Sequence, residues 1–125
     1  MPVITPVDHE RFELQGVEFT SLVRPGKAGA ENAVWWVRVE SCEPGPPHVL
    51  DRDEVLVARS GEAVASLDGT EHAVGAGDTI LVPAGTPFAL RAAAPDEAFV
   101  ALAILPAGAT ACLDGGEPFV PPWCA

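Results

Sequence analysis

Hydrophobic and polar residues alternate with a period of two along most of this chain. Between 34 and 40, Trp35, Val37 and Val39 interleave with Trp36, Arg38 and Glu40, the pattern of a strand with one buried face. If the first set faces the core, Trp36 sits outside it, where a large indole is more often an interface residue than a solvated one. Further strand candidates lie at 17–23, 54–59, 63–67, 70–74, 79–82, 88–92 and 98–105. Turn signals separate them: Pro25, Gly26 and Gly29; the hairpin pair Asp68-Gly69; then Gly75 and Gly77. The run 54–59 is apolar on both faces, with Glu54, Leu56 and Ala58 on one and Val55 and Val57 on the other. Such a strand needs cover on both sides, and a second subunit is the expected source, so a homodimer is predicted. No segment sustains a 3.6-residue period.

Composition narrows the architecture without choosing it. The chain has 125 residues, 48% of them hydrophobic, with 13 Pro and 12 Gly. This suits one all-β domain over 1–125, with N-terminal strands in 1–33, a core about 34–105 and a Pro-rich arm at 106–125. The arm carries too many prolines for a central strand. It is expected to lie extended over the body, anchored by Phe119 and Trp123. A sandwich and a small barrel fit the strand pattern equally well. Net charge of −11 excludes the clustered cations that phosphate backbones or anionic membranes require, so neither nucleic acid nor membrane is an expected partner. No basic leader with an apolar run and no long apolar stretch is present, so a cytoplasmic location is expected. The cysteines Cys42, Cys112 and Cys124 have irregular spacing that fits neither a disulfide framework nor a zinc motif.

Two strand-turn blocks carry the remaining information. The first is Gly45, Pro46, Pro47, His48, Val49 and Leu50, followed by Glu54 and Gly61; the second is Gly77 and Asp78, then Pro83, Gly85 and Phe88. Their spacing resembles the two motifs of the cupin superfamily. In that family a His-x-His is followed by a Glu four residues on and a Gly seven later, and a Gly is followed by Pro-x-Gly and then a His. The resemblance implies a jelly-roll barrel (a double-stranded β-helix) with a ligand-holding interior. It also implies that three His and the Glu would hold a metal in metal-binding members. Here Leu50 and Phe88 stand at two of those His positions, leaving His48 and Glu54.

The surviving pair supports several chemistries. As metal ligands, His48 and Glu54 fall short of the roughly three that a catalytic site needs, unless His72, with the parity of Val74, turns inward to join them around Fe, Mn, Ni or Zn. Without a cofactor, which is the favoured case, the resemblance places them in one cavity close enough to hydrogen-bond directly or through one water. Leu50, Leu56, Phe88, Leu90 and Trp35 would line it as a substrate wall. A carboxyl beside apolar walls has a raised pKa, which a protonated His would pull back, and such a pair suits general acid and base work. The predicted function is proton transfer on a small organic substrate, of isomerase, cyclase, dehydratase or lyase type. A ligand-binding or sensing module and a metal-dependent member are the alternatives, and a His-Glu pair that only holds strands in register is the structural one. Arg38, Arg59 and Arg91 are candidates for an anionic substrate group but have outward parity. Cys42 lies just upstream of the His48 loop and could approach the cavity mouth.

Overall fold

Period-two alternation becomes eleven strands in the computed structural model, which describes residues 3–125. Residues 1 and 2, part of the expected N-terminal strand region, lie outside the described residues. The strands are β1 (Glu10–Leu14), β2 (Val17–Val23), β3 (Asn32–Val39), β4 (His48–Leu50), β5 (Glu54–Ser60), β6 (Ala63–Leu67), β7 (Thr70–Val74), β8 (Thr79–Val82), β9 (Phe88–Ala92), β10 (Phe99–Pro106) and β11 (Ala111–Leu113). They form a six-stranded sheet in the order β1-β2-β3-β10-β5-β8 and a five-stranded sheet in the order β11-β4-β9-β6-β7. Every pairing is antiparallel, and the fold is a double-sheet jelly roll.

The predicted strands at 63–67, 70–74, 79–82 and 88–92 appear with those limits, because each is bounded by residues that can turn. Asp68 and Gly69 both have positive φ, 51° and 82°, as a two-residue hairpin between twisted strands requires. Three strands were not separately anticipated. β1 pairs with β2 across Gln15-Gly16, a turn of the same kind with φ of 52° and 79°. β4 and β11 are only three residues long, too short for alternation to register.

The inner faces follow the predicted parity. Trp35, Val37 and Val39 on β3 are buried, as are Phe99, Ala101, Ala103 and Leu105 on β10 and Leu56 and Ala58 on β5. Leu50, Ala63, Ala65, Phe88 and Ala92 meet them from the other sheet. The outer face of β5 is not covered within the chain: Val57 is 38% exposed. Register sets Val34, Ile104, Val55 and Leu81 side by side across β3, β10, β5 and β8, with Trp36, Leu102 and Val57 in the adjacent row. Trp36 lies outside the core as its parity predicts, half-buried under Arg59, whose guanidinium carbon is 4.9 Å from the ring centroid.

The C-terminal arm packs on its own body. Ala111 and Phe119 exchange backbone hydrogen bonds of 2.8 and 2.9 Å, and the chain then ends its path in a 3₁₀ turn at Pro122–Cys124. The Trp123 ring stacks on Phe19 of β2 with centroids 3.6 Å apart and planes 6° from parallel. The Gly26 N–H and the Arg24 guanidinium both donate to the Ala125 carbonyl, at 3.0 and 2.8 Å. Among the described residues no helix is long and apolar enough to cross a membrane.

Gly61 shows why the first motif ends in glycine. It turns β5 into β6 with φ of +73°, and a Cβ there would lie 2.1 Å from the Ala98 carbonyl oxygen. Both the backbone conformation and the close approach exclude a side chain. Gly61→Ala should therefore lower the unfolding free energy by about 2–3 kcal/mol, read from denaturant midpoints, whereas Gly69→Ala, with open space around it, should cost less.

Candidate functional site

At one end of the jelly roll the two sheets do not close on each other, leaving a cavity of about 150 Å³. His48, Leu50, Glu54, Leu56, Phe88, Leu90 and Trp35 all line it. Glu54 opens β5 opposite Val82 and points inward with Leu56. Two other carboxylates pin the loop that delivers it. Asp51 Oδ1 accepts from the Thr110 N–H at 2.7 Å, and Asp53 Oδ1 accepts from the Ala84 N–H at 2.8 Å. The Thr110 hydrogen bond also holds the Asp51 carboxyl below its usual range. The Gly85 N–H donates to the Leu50 carbonyl at 2.8 Å, so the second motif's turn braces the first motif's strand.

His48 and Phe88 are register partners on β4 and β9, and their rings meet edge to face at 5.4 Å. The His48 Nδ1 lies 3.5 Å from the Pro46 carbonyl. A carbonyl only accepts, so in the tautomer that makes this long contact a hydrogen bond Nδ1 carries the proton and Nε2 the lone pair. Burial lowers the His48 pKa from its ordinary value, so the ring is neutral at pH 7.

No direct hydrogen bond joins His48 and Glu54 among the described residues. Glu54 is 5% exposed and has no hydrogen-bond partner among the described residues. Burial alone pushes its pKa up to about 8, with no contribution from His48 pulling it back. Glu54 is therefore a largely protonated acid at neutral pH, and His48 is a separate neutral base in the same cavity.

Other expected residues lie elsewhere. His72 keeps the parity of Val74 but is exposed beside Asp78 and Ile80, in a second depression away from His48 and Glu54. Cys42 is half-buried and does not line the cavity. Arg38 pairs with Glu40, Arg59 covers Trp36 and Arg91 approaches Glu71 at 3.5 Å, all outside the cavity. What pattern reading missed is the contribution of the C-terminal arm. Phe119, Pro121, Trp123 and Cys124 form one wall of the cavity. The Cys124 thiol is pushed well above its ordinary pKa, first by burial and then by Glu54, so it is an inert neutral group. The two aromatic anchors in the arm were legible in sequence. Which opening they would close was not.

A family model described as a cupin domain matches residues 35–105. The chain belongs to the cupin family. No curated protein matches it in sequence. The polyketide cyclase RemF from Streptomyces resistomycificus is similar in fold, at 18% identity over 85% of this chain and 79% of its own, with a TM-score of 0.73. A conserved protein of unknown function from Streptococcus pyogenes is 26% identical over 75% of this chain and 76% of its own, with a TM-score of 0.61. Hydroxypropylphosphonic acid epoxidase from S. wedmorenis is 16% identical over 83% of this chain and 58% of its own, with a TM-score of 0.68.

The donor set of this cupin does not fit a divalent transition metal. His48 and Glu54 are two donors where about three are needed, and Leu50 and Phe88 occupy the positions of the missing imidazoles. Among the described residues no group of three or more His, Cys, Asp or Glu is placed to hold an ion.

An unpartnered carboxyl in an apolar cavity has a stability signature. Between the ordinary value of 4.5 and the folded value of about 8, the unfolded chain has released the Glu54 proton while the folded chain keeps it, so stability falls as pH rises. His48, with its lowered pKa, acts in the opposite sense below 6.5, which leaves pH 6.5–8 as the window belonging to Glu54. Across that window Glu54→Gln should gain on the wild type by about 1.4 kcal/mol per pH unit in urea denaturation. Parallel curves for the two proteins would contradict the raised pKa.

Proposed function

We propose that this cupin transfers protons on a small enolisable carbonyl compound. The observation that carries the reading is a buried carboxyl with no protein partner in an apolar cavity that also holds a neutral imidazole. A carboxylic acid kept neutral by desolvation donates a hydrogen bond to a carbonyl oxygen, where it is most effective as negative charge develops. The free Nε2 of His48 accepts the proton from the adjacent carbon. Glu54 passes its proton to the oxygen as the C–H electrons move into the C=C bond, giving the neutral enol. Return of a proton at another carbon gives an isomer, and attack of the enol on a second carbonyl followed by loss of water gives a ring. The fold similarity to a polyketide cyclase is compatible with this chemistry, although the chemistry of the epoxidase shows that the fold alone does not choose it.

Solvent deuterium exchange into enolisable ketones, followed by NMR, tests the proposal without knowledge of the natural substrate. The wild type should exchange 10²- to 10⁴-fold faster than either His48→Ala or Glu54→Gln. Its rate should fall as pH rises through about 8, where Glu54 ionises, and fall again on acidification below 6.5, where His48 takes up a proton. Saturable binding with the ketone recovered undeuterated would instead favour a binding or sensing module.

The uncovered outer face of the six-stranded sheet belongs to the same reading of the molecule. Val57 and Leu81 are 38% and 54% exposed in a band that also contains Trp36 and Leu102. A second copy of the chain supplies the cover in our proposal, since the band is an exposed apolar row interrupted only by Arg59 over Trp36. Sedimentation equilibrium should give a dimer at micromolar concentration, and Val57→Lys should shift it toward monomer. A wild-type monomer under those conditions would rule the dimer out.

A further inference from the structure

The cavity also restricts what its ligand is, and this inference rests on the proton-transfer reading only for the role of Glu54. Its volume of about 150 Å³ is that of a space known to accommodate a single benzene ring when lined by aliphatic and aromatic side chains. Among the described residues its walls hold no Lys or Arg, and their polar side chains are Gln15, His48, Glu54, the Cys124 thiol and the indole N–H groups of Trp35 and Trp123. Gln15 is in the exposed β1–β2 turn, at the mouth with Leu14, which is 42% exposed. The interior therefore offers few polar groups to whatever fills it: the Glu54 carboxyl, the His48 imidazole and the indole N–H groups of Trp35 and Trp123.

Each feature removes a class of ligand. A carboxylate or phosphate would be buried without a countercharge in a protein of net charge −11, which its desolvation opposes. A sugar or polyol would leave most of its hydroxyls unpaired against Val37, Leu56 and Leu105. A fused two-ring compound is larger than the single ring that such a volume is known to take. We infer that the ligand of this site is a neutral compound with one six-membered ring and one carbonyl group, seated with its oxygen on Glu54 and its short substituent toward the mouth.

Trp123 sets the upper limit on size. It closes the cavity from the C-terminal arm and is held there by its stack on Phe19 and by the hydrogen bonds of Ala125 to Gly26 and Arg24. A smaller side chain at this position lengthens the space without touching Glu54 or His48.

Four probes separate these statements: acetophenone, ethylbenzene as its counterpart without an acceptor, benzoate as the anion and 2-acetonaphthone as the two-ring ketone. Binding is read by ligand-observed NMR and by quenching of the tryptophan fluorescence, at pH 6.5–7. Acetophenone should bind about tenfold more tightly than ethylbenzene, the worth of one hydrogen bond. It should exceed 2-acetonaphthone by at least the same factor, and benzoate should not saturate. Glu54→Leu should abolish the preference for acetophenone over ethylbenzene while ethylbenzene still binds. Trp123→Leu should raise 2-acetonaphthone affinity toward that of acetophenone, and Leu90→Ala, at a half-buried wall, provides the same enlargement if the tryptophan variant loses its fold by circular dichroism. Binding of benzoate or of the two-ring ketone by the wild type as tight as that of acetophenone would overturn the inference, as would a preference for acetophenone that survives in Glu54→Leu. The selectivity seen without deuterium exchange would refute proton transfer and leave the ligand class standing. Exchange on the two-ring ketone with none on acetophenone would do the reverse.

Discussion

Two antiparallel sheets pack their inner faces together, and the size of the side chains between them decides where they touch. Ala58, Ala63, Ala65, Ala92, Ala101 and Ala103 are all buried, and small side chains let the backbones approach. Around the cavity stand Trp35, Leu56, Phe88 and Leu105, whose bulk frames a space rather than filling it. Sheet-on-sheet packing is the dominant source of stability, since it removes most of the apolar surface from water. The cavity exists because that packing is incomplete around His48 and Glu54.

Within that apolar frame, one ionisable group governs the electrostatics. Glu54 is carried inward by strand parity and by the anchoring of Asp51 and Asp53 on either side of Arg52, so it cannot turn out to water without breaking both loops. Its proton is retained because an unpaired carboxylate there would lack solvation. The same desolvation keeps His48 unprotonated and the Cys124 thiol intact. Burial is thus the largest cause holding all three titratable groups neutral, and an acid and a base coexist without neutralising each other by proton exchange.

The C-terminal arm makes the frame a container. Its prolines stop it from adding a full strand, leaving a single bridge between Ala111 and Phe119 before the 3₁₀ turn. Trp123 and Cys124 then form the wall that neither sheet supplies. That wall of the cavity therefore comes from a segment outside the matched region 35–105.

Much of the fold was legible in local sequence because alternation and turn chemistry are local properties. The inward set Trp35, Val37 and Val39, the hairpin at Asp68-Gly69 and the strands bounded by Gly and Pro needed no knowledge of distant residues. Spacing in the two motifs also placed His48, Leu50, Glu54 and Phe88 together, since strand parity carries a side chain to a predictable face. Short strands such as β4 and β11 escaped because three residues cannot establish a period. Distances between groups on different strands were beyond reach for another reason: they depend on how two sheets are offset. Tertiary structure alone therefore left His48 and Glu54 without a direct hydrogen bond, put His72 in a second depression, and brought Cys124 to Glu54 across seventy residues of chain. Parity along a strand determines which way a side chain points, whereas packing between sheets determines what it meets there.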